Sequence, residues 1–287
     1  MERSSILDRT DVRTHVHDMW ASVAPGWAAH AEYVDARTAA LGERLLALTS
    51  PSPGDRVLEL ACGPGGLGLA AAPHVAPGGE VVLSDVVPAM TAIAAARAAG
   101  VPGVRTRVLD LEAIDEPDNA YDVVLCREGL MFASDPGAAA REIRRVLRPG
   151  GRVGVSVWGP RGRNPWLGLV LDAATETLGE PVPPPGVPGP FSLEDADRLA
   201  GCLRDAGLGG VEVGEESVPL RAGSFEEWWT RTATIAGPLA KRLAAMPASA
   251  QEELAGRLRV AVRPYTSRGG EVELPGLALV ASASLKP

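Results

Sequence analysis

Short apolar runs alternate with helical stretches between residues 56 and 158, and this alternation constrains the fold more than any other feature. Five runs are rich in valine and leucine with little polar alternation, which is typical of strands buried on both faces of a parallel sheet. In chain order they are RVLELAC, EVVLSDV, VRTRVLD, YDVVLCR and GRVGVSVWG. Alternating strands and helices predict a doubly wound α/β sheet, whose ligands bind beyond the carboxyl ends of its strands.

The remainder of the chain is expected to complete this sheet. VEVGEESVPL and GLALVASASL predict two further strands, with a helical insertion between them. The fold class is therefore α/β, a Rossmann-like doubly wound seven-stranded sheet with a mostly helical cap. The expected parts are an N-terminal helical cap segment (1–50), a ligand-binding core (51–159) and a C-terminal part (160–287) with insertions at about 160–190 and 223–270.

Two helices carry end signals in the sequence. In DPGAAAREIRRVLRPGG, Asp135 suits the N-cap, Pro136 the first helical position and Gly150 the position past the end. In SLEDADRLAGCLRDAG, Ser192 and Asp195 have the spacing of a capping box, which predicts a helix beginning at Ser192.

The composition argues against several classes of partner. A net charge of −8 without an extended basic surface disfavours nucleic acid. The sequence has no uninterrupted apolar run of membrane-helix length and no apolar leader at its start, so we expect no membrane partner. Three cysteines without CxxC spacing indicate reduced thiols and a cytoplasmic location, with neither disulfides nor a metal site.

The segment VLELACGPGGLG, residues 57–68, contains the spacing Gly63-x-Gly65-x-x-Gly68. This spacing occurs in dinucleotide-binding loops, where backbone N–H groups and a helix N-terminus bind a pyrophosphate. Glu59 stands just before the loop, and its negative charge disfavours a phosphate there. The glycines alone leave an NAD(P)-binding protein open, whereas Glu59 favours a ligand of different charge.

Carboxylates lie at the ends of three successive strands of the expected sheet. Glu59 is near the end of the first, Asp85 at the end of the second and Asp110 at the end of the third. Because the carboxyl ends of parallel strands share one edge, these side chains are expected on one rim. An acid after the glycines also occurs in dinucleotide sites, where it binds a ribose. Together with Glu59, however, the rim favours a ligand with ribose hydroxyls, an amine and a cationic centre but no phosphate.

That ligand description fits S-adenosylmethionine, and residues 56–158 resemble the class I S-adenosylmethionine-dependent methyltransferases. The resemblance is to the small-molecule group that includes the quinone-biosynthesis methyltransferases. Five motifs carry it in order: VLELACGPGGLG, VVLSDVVPAM, VLDLEAID, YDVVLCREGLMF and VLRPGGRV. It implies S-adenosylmethionine as cofactor, S-adenosylhomocysteine as product, and O- or C-methylation of a small aromatic, polyketide-like or quinoid acceptor.

The resemblance also implies which residues contact the cofactor. Glu59, Gly63 and Gly65 would surround its methionine part, and Arg127 would line the same side mainly through its backbone. Asp85 would accept from both ribose hydroxyls, and Asp110 from the adenine amine. The remaining implied contacts are Val86 and Met90 against the sugar and adenine, the backbone of Leu111, and Trp20 and Tyr33 from the N-terminal helices.

Methyl transfer from a sulfonium depends largely on positioning, and a hydroxyl, amine or carbon acid can also need a base. One candidate is His17, three residues from Trp20 and on the same helix face; another is Glu128, which follows the fourth strand. Further options are His15, His30 and Tyr33. The sequence does not choose among these residues.

Large apolar side chains outside the expected sheet predict the acceptor pocket. Met131 and Phe132 follow the fourth strand, and Trp166 and Trp228 lie in the insertions. Such side chains suit a flat or polycyclic molecule. The alternative is that they only pack the cap onto the core.

Other functions stay open from the sequence alone. An NAD(P)-binding oxidoreductase would share the glycine spacing, but the only lysines, Lys241 and Lys286, are not part of a Tyr-x-x-x-Lys pair. A non-methylating S-adenosylmethionine-binding protein or cyclase would share the whole cofactor pattern. A nucleic-acid methyltransferase is disfavoured, because CREG follows the fourth strand in place of an Asn- or Asp-Pro-Pro-aromatic motif. We expect a monomer or a homodimer.

Overall fold

A seven-stranded sheet forms the centre of the molecule. The computed structural model describes residues 9–286, apart from the side chains of residues 9, 10, 238, 241 and 244. The strands lie in the order β3-β2-β1-β4-β5-β9-β6. They are β1 (Arg56–Glu59), β2 (Glu80–Asp85), β3 (Val104–Val108), β4 (Tyr121–Arg127), β5 (Leu147–Trp158), β6 (Gly209–Ser217) and β9 (Leu277–Ser284). Two short strands, β7 (Leu220–Ala222) and β8 (Val272–Leu274), pair in a separate ribbon that the sequence analysis did not predict.

One strand of the sheet runs against the others. β3, β2, β1, β4 and β5 are parallel, while β9 is antiparallel to its neighbours β5 and β6. Strand order reverses between β1 and β4, so the crevice beyond their carboxyl ends is the topological switch point. The predicted Rossmann-like seven-stranded α/β fold is confirmed.

Eleven α-helices accompany the sheet within residues 9–286. They are α1 (Arg9–Ala29), α2 (Ala31–Arg37), α3 (Ala39–Thr49), α4 (Gly66–Val75), α5 (Pro88–Arg97), α6 (Pro136–Val146), α7 (Pro165–Leu178), α8 (Ala196–Asp205), α9 (Phe225–Ile235), α10 (Gly237–Ala245) and α11 (Ala248–Ala261). α3 and α4 contact each other and the sheet, and so do α6 and α8. These two helix pairs are the layers of a doubly wound fold.

The helices α1, α9 and α10 contact one another and form a cap, which covers the carboxyl edge of the parallel strands. Gly26 permits the close approach of α1 and α9, since a Cβ there would collide with the Thr234 carbonyl. The Trp27 Nε1–H group donates to the carbonyl of Ile235 at 3.0 Å. No helix within the described residues is long and apolar enough to cross a bilayer.

Helix α6 begins as predicted and ends earlier. Asp135 caps it by accepting a hydrogen bond from the Ala138 N–H at 3.0 Å. The helix ends at Val146, four residues before Gly150, because Leu147 already pairs with strand β4. The predicted end at Gly150 is therefore wrong, and that glycine lies within β5.

Helix α8 begins later than the capping-box spacing predicts. It starts at Ala196, because Asp195 caps it by accepting from the Arg198 N–H at 2.8 Å. The Ser192 hydroxyl instead accepts a hydrogen bond from the Gly189 N–H at 2.7 Å, within the preceding turn. The predicted start at Ser192 is therefore wrong by four residues.

This start of α8 can be tested with two neighbouring aspartates. We expect Asp195→Ala to lower the free energy of unfolding by about 1 kcal/mol, since it removes the N-cap acceptor. Asp197→Ala, in the first turn of the same helix, removes only a favourable interaction with the helix dipole and should lower it by less than about 0.5 kcal/mol. Urea unfolding followed by circular dichroism measures both, and equal effects would contradict the assigned cap.

Candidate active site

A cavity of about 230 Å³ lies at the carboxyl edge of the parallel strands. Its walls come from the ends of β2, β4 and β5, from the loops after β1 and β3, and from α1, α2, α7 and α9. The cavity therefore occupies the switch point of the sheet. Most of the predicted site residues line it: His17, Trp20, Tyr33, Gly63, Asp85, Val86, Met90, Asp110, Leu111, Arg127, Glu128, Met131, Phe132 and Trp166.

The glycine loop after β1 requires small residues for its shape. Gly63 and Gly65 have φ angles of 51° and 82°, in the left-handed region that favours glycine. Gly68 is needed for a different reason, because a Cβ there would lie 2.6 Å from Glu59 Oε2 and would collide with Leu83. Gly63 faces the cavity, whereas Gly65 is not in its lining. Gly65 therefore shapes the loop from behind.

Glu59 lies beneath this loop and not in the cavity wall. It is 1% exposed, and its Oε2 accepts a hydrogen bond from the Gly68 N–H at 2.8 Å. Burial raises the pKa of Glu59 to about 7, while Arg127 and the Gly68 amide favour the ionised form. A carboxylate at the first turn of α4 disfavours a pyrophosphate at that helix end. Glu59 is thus behind the cavity wall, and its contact with the cofactor stays a prediction.

Asp85 presents a carboxylate to the cavity at the end of β2. Its Oδ2 accepts from the Gly63 N–H at 3.0 Å and its Oδ1 from the Val87 N–H at 2.9 Å. Burial raises the pKa of Asp85, an effect that these donors and nearby His17 oppose. Each oxygen retains acceptor capacity, so the carboxylate can bind two further hydroxyl groups.

Asp110 ties the N-terminal helix to the rim of the cavity. Its Oδ1 accepts from the Glu112 N–H at 2.8 Å, and its Oδ2 forms an ion pair with Arg13 of α1. No local sequence pattern points to Arg13, because the contact joins residues 97 positions apart. A ligand amine at Asp110 would therefore lie beside a guanidinium of the cap.

Arg127 lines the cavity and bonds to the α2 segment of its wall. Its Nη1 donates to Thr38 Oγ1 at 2.8 Å, and its Nη2 lies 3.4 Å from Asp35 Oδ1. The other oxygen of Asp35 pairs with Arg97 at 2.5 Å, and Arg97 also donates to the Pro64 carbonyl of the glycine loop. Asp35, which the sequence analysis missed, thus fastens α2 to the loop and to β4.

Glu128 has a strained backbone conformation in the cavity wall. Its φ angle is 59°, an unusual value for a side chain with a Cβ, and such strain clusters at functional sites. Its Oε1 accepts from the Ser156 hydroxyl at 3.0 Å, while its Oε2 is buried and has no hydrogen-bond partner among the residues that the structure describes. Burial raises the pKa of Glu128 to about 7, against the influence of Ser156 and two arginines. The carboxylate is thereby suited to exchange protons near neutral pH.

His17 and Trp20 enter the cavity together from α1, as their spacing predicts. His17 acts electrostatically on Asp85, which places it at the β2 side of the cavity. The Trp20 ring packs edge-on against Phe132, with centroids 4.9 Å apart. His15 and His30, the other histidine candidates, do not line the cavity.

Aromatic side chains form the β5 side of the cavity. Trp158 ends β5 and meets Trp166 of α7 edge-on, with centroids 4.9 Å apart. Asn164 orients Trp166 by accepting from its Nε1–H at 3.1 Å, and it also bonds both backbone groups of Leu277. Met131 lies below, where its sulfur accepts from the Trp158 N–H at 3.5 Å. Trp158 was not among the predicted site residues, because its place at the end of a strand resembles that of a core residue.

Trp228 is placed elsewhere than predicted. Its side chain is completely buried in the core and does not line the cavity. It packs against Phe225, with ring centroids 5.7 Å apart, on the inner face of α9. The predicted contact of Trp228 with a substrate is therefore not supported, since this tryptophan packs the cap.

Comparisons with known proteins identify the family of this chain. Residues 57–151 match a methyltransferase domain family. The chain is 33% identical over 205 residues to the nocamycin O-methyltransferase of Saccharothrix syringae, covering 65% of this chain and 70% of that protein. The chain belongs to the class I S-adenosylmethionine-dependent methyltransferase family. This confirms the predicted family and the predicted cofactor, and it argues against the NAD(P)-binding alternative.

More distant similarities agree with this methyltransferase family. The ubiquinone/menaquinone biosynthesis C-methyltransferase of Cupriavidus metallidurans is 37% identical over 138 residues, covering 43% of this chain and 56% of that protein. The chain spans about half the length of two uncharacterized Mycobacterium tuberculosis relatives, to which it is 38% identical over 153 residues. The crystal structure of the Bacillus subtilis YcgJ protein shares the fold, with a TM-score of 0.60 at 20% identity, over 86% of this chain and 98% of that one.

The raised pKa of two buried glutamates predicts how stability depends on pH. Glu59 and Glu128 have a pKa of about 7 in the folded protein against an ordinary 4.5, so the folded state binds more protons between these values. The stability that these two groups contribute should therefore be fully present below pH 4.5 and be lost as the pH rises through 7. Glu128→Gln removes one of the two groups and should stabilise the protein at pH 8 by about 3 kcal/mol, with the gain vanishing toward pH 4.5.

Urea unfolding across pH 4.5–8 measures this difference. The control is Glu212→Gln, an exposed position on strand β6, which should retain the pH dependence of the wild-type protein. A pH dependence in Glu128→Gln identical to that of the wild type would contradict the assigned burial of the Glu128 charge.

Proposed function

We propose that this protein transfers the methyl group of S-adenosylmethionine to an oxygen or carbon atom of a small, flat acceptor. Aromatic, polyketide-like and quinoid metabolites are the acceptor classes that fit. The proposal rests on one observation: the two ends of one continuous cavity along the sheet edge differ in chemistry. Carboxylates lie at the β2 and β3 side, at Asp85 and Asp110, and aromatic rings lie at the β5 side, at Trp158 and Trp166.

The β2 and β3 side suits the cofactor. The Asp85 carboxylate would accept from the ribose hydroxyls, and the backbone of the Gly63 loop would contact the methionine part. Val86, Met90 and Leu111 would pack against the sugar and adenine, whose amine would reach Asp110. The chemistry of this side supports the assignment. Asp85 and Asp110 present carboxylate oxygens that can accept from hydroxyl and amine groups, and the Glu59 carboxylate lies below the glycine loop.

Glu128 serves as the base at the junction of the two sides. When bound, the cofactor supplies a methyl group on a positively charged sulfur, whose C–S bond breaks with its electron pair staying on sulfur. Glu128 Oε2 takes the proton that the acceptor hydroxyl or carbon acid loses, and Ser156 holds the other carboxylate oxygen in place. His17 is the weaker candidate, because it lies at the β2 side beside Asp85.

The relatives support a small-molecule acceptor. One is named for O-methylation of nocamycin and another for C-methylation in quinone biosynthesis. Both kinds of acceptor atom therefore fit, and the identity of the acceptor decides between them. A methyl-transfer assay with isotope-labelled S-adenosylmethionine and a panel of phenols, enolised diketones and quinols tests the proposal. Cofactor binding without transfer to any acceptor would favour a non-methylating protein or a cyclase.

The ribose contact gives a binding prediction. We expect Asp85→Ala to weaken S-adenosylhomocysteine binding at least about tenfold, because it removes charge-assisted hydrogen bonds worth about 1.4 kcal/mol or more. Asp115→Ala, whose carboxylate is 94% exposed, is the control and should bind normally. Isothermal calorimetry measures both, together with NAD⁺, which should not bind. Unchanged affinity in folded Asp85→Ala would refute the ribose assignment.

The assignment of the base gives a kinetic prediction. Glu128→Gln should lower kcat about 100-fold, the lower range for loss of a general base, and should remove the limb of the pH–rate profile near pH 7. His17→Ala should lower kcat less than about tenfold and leave that limb in place. Initial rates with the acceptor found in the panel test this. The reverse order of effects would assign the base to His17.

A further inference from the structure

The β5 side of the cavity contains three polar groups without partners. Tyr33 Oη, Glu128 Oε2 and the Nε and Nη2 atoms of Arg37 are all buried and form no hydrogen bond with any residue the structure describes. All three residues line the same cavity. Buried polar groups in proteins are nearly always hydrogen-bonded, so a cluster of three unpaired ones needs an explanation. A polar ligand in this part of the cavity supplies one.

Arg37 is held in position by stacking. Its guanidinium carbon lies 3.9 Å from the centre of the Trp166 ring and 5.2 Å from that of Trp158. Burial lowers the pKa of Arg37 to about 10, so the group stays charged at neutral pH. The unpaired Nε and Nη2 lie on one edge of the planar guanidinium. This edge carries two parallel N–H donors, which match two neighbouring oxygen atoms.

The charge of Arg37 has no close counter-ion within residues 9–286. Glu128 and Tyr33 act on it electrostatically, yet neither forms an ion pair with it. The second arginine of this region, Arg231, is already paired with Glu227 at 3.0 Å and stacks on the Tyr33 ring at 3.6 Å. Arg37 is therefore the cation that remains available to an anionic ligand.

We propose that Arg37 is a specificity-determining residue that binds an acceptor carrying an anionic pair of neighbouring oxygens next to a group that still bears its proton, such as a hydroxy-carboxylate. This inference rests on the proposed function, because it assigns the acceptor to the same cavity. The two oxygens accept from Nε and Nη2, and the flat body of the acceptor lies against the tryptophan side of the cavity. The acceptor group that loses its proton faces Glu128.

The position of Arg37 favours the acceptor over the cofactor as the source of the anion. Its partners Trp158 and Trp166 belong to the β5 side, whereas Asp85 and Asp110 lie beyond β1 on the β2 and β3 side. The methionine part of the cofactor also has a carboxylate, so the experiment must separate the two sources.

The test measures binding without turnover. Protein saturated with S-adenosylhomocysteine is titrated calorimetrically with 1-hydroxy-2-naphthoate and with its neutral counterpart of equal shape, 1-hydroxy-2-naphthamide. The wild-type protein should bind the anion at least about tenfold more tightly. Arg37→Gln should abolish this preference, and Arg37→Lys, which keeps the charge but loses the paired donors, should retain part of it. Arg257→Gln, at an exposed arginine of α11, is the control and should bind like the wild type.

The outcomes separate the two proposals. Equal binding of both naphthalene probes by the wild type, or a preference that persists in Arg37→Gln, overturns the inference. If Arg37→Gln weakens S-adenosylhomocysteine but not 5′-methylthioadenosine, which lacks the carboxylate, Arg37 binds the cofactor and the inference is also wrong. Failure of the wild type to bind S-adenosylhomocysteine refutes the proposed function instead. If Arg37→Gln does not fold, the preference of the wild type for the anionic probe and the partial loss of that preference in Arg37→Lys still test the inference.

Discussion

The hydrogen bond from the Gly68 amide to the buried carboxylate of Glu59 joins the first strand to the first helix of the core. It requires a glycine at position 68, since any Cβ would meet the carboxylate and Leu83. It also places a negative charge under the turn that a dinucleotide-binding protein uses for its phosphates. The glycine loop above the Glu59 carboxylate and the neighbouring Asp85 therefore line the cavity with backbone groups and a carboxylate, which do not suit a phosphate. One contact thus sets both the packing of α4 and the kind of cofactor that this edge of the sheet accepts.

The acceptor side depends on a second set of contacts, which hold α2 over the sheet. Asp35 pairs with Arg97 and Arg127, and Arg127 also donates to Thr38. Tyr33 and Arg37 lie on the same short helix, so this network positions them in the cavity wall. A helix of seven residues has little stability of its own. Its orientation is therefore fixed by ion pairs to the core rather than by its own propensity.

The sequence predicts that the strand-end carboxylates share one rim, but it does not predict the cluster around Arg37, for a physical reason. Strand-end residues such as Asp85 and Asp110 share one edge whenever the strands are parallel, so their meeting follows from local patterns. The cluster of Arg37, Trp166 and Arg231 joins positions almost 200 residues apart, and no local pattern brings them together. Trp228 shows the opposite error: a tryptophan in an insertion suggested a pocket, but α9 turns it into the core. The capping box at Ser192 failed similarly, because the preceding turn uses that hydroxyl.

The two sides of the cavity also differ in how much of the molecule must be folded to form them. Asp85 and the glycine loop need only the sheet and α4, whereas the acceptor side needs α1, α2, α7 and α9 together. The contact of α1 with α9 depends on Gly26 and on the Trp27 to Ile235 hydrogen bond. Arg231, which stacks on Tyr33, lies on that same α9. Loosening of the cap would thus separate Arg231 from Tyr33 and Arg13 from Asp110, so it would open both sides of the cavity.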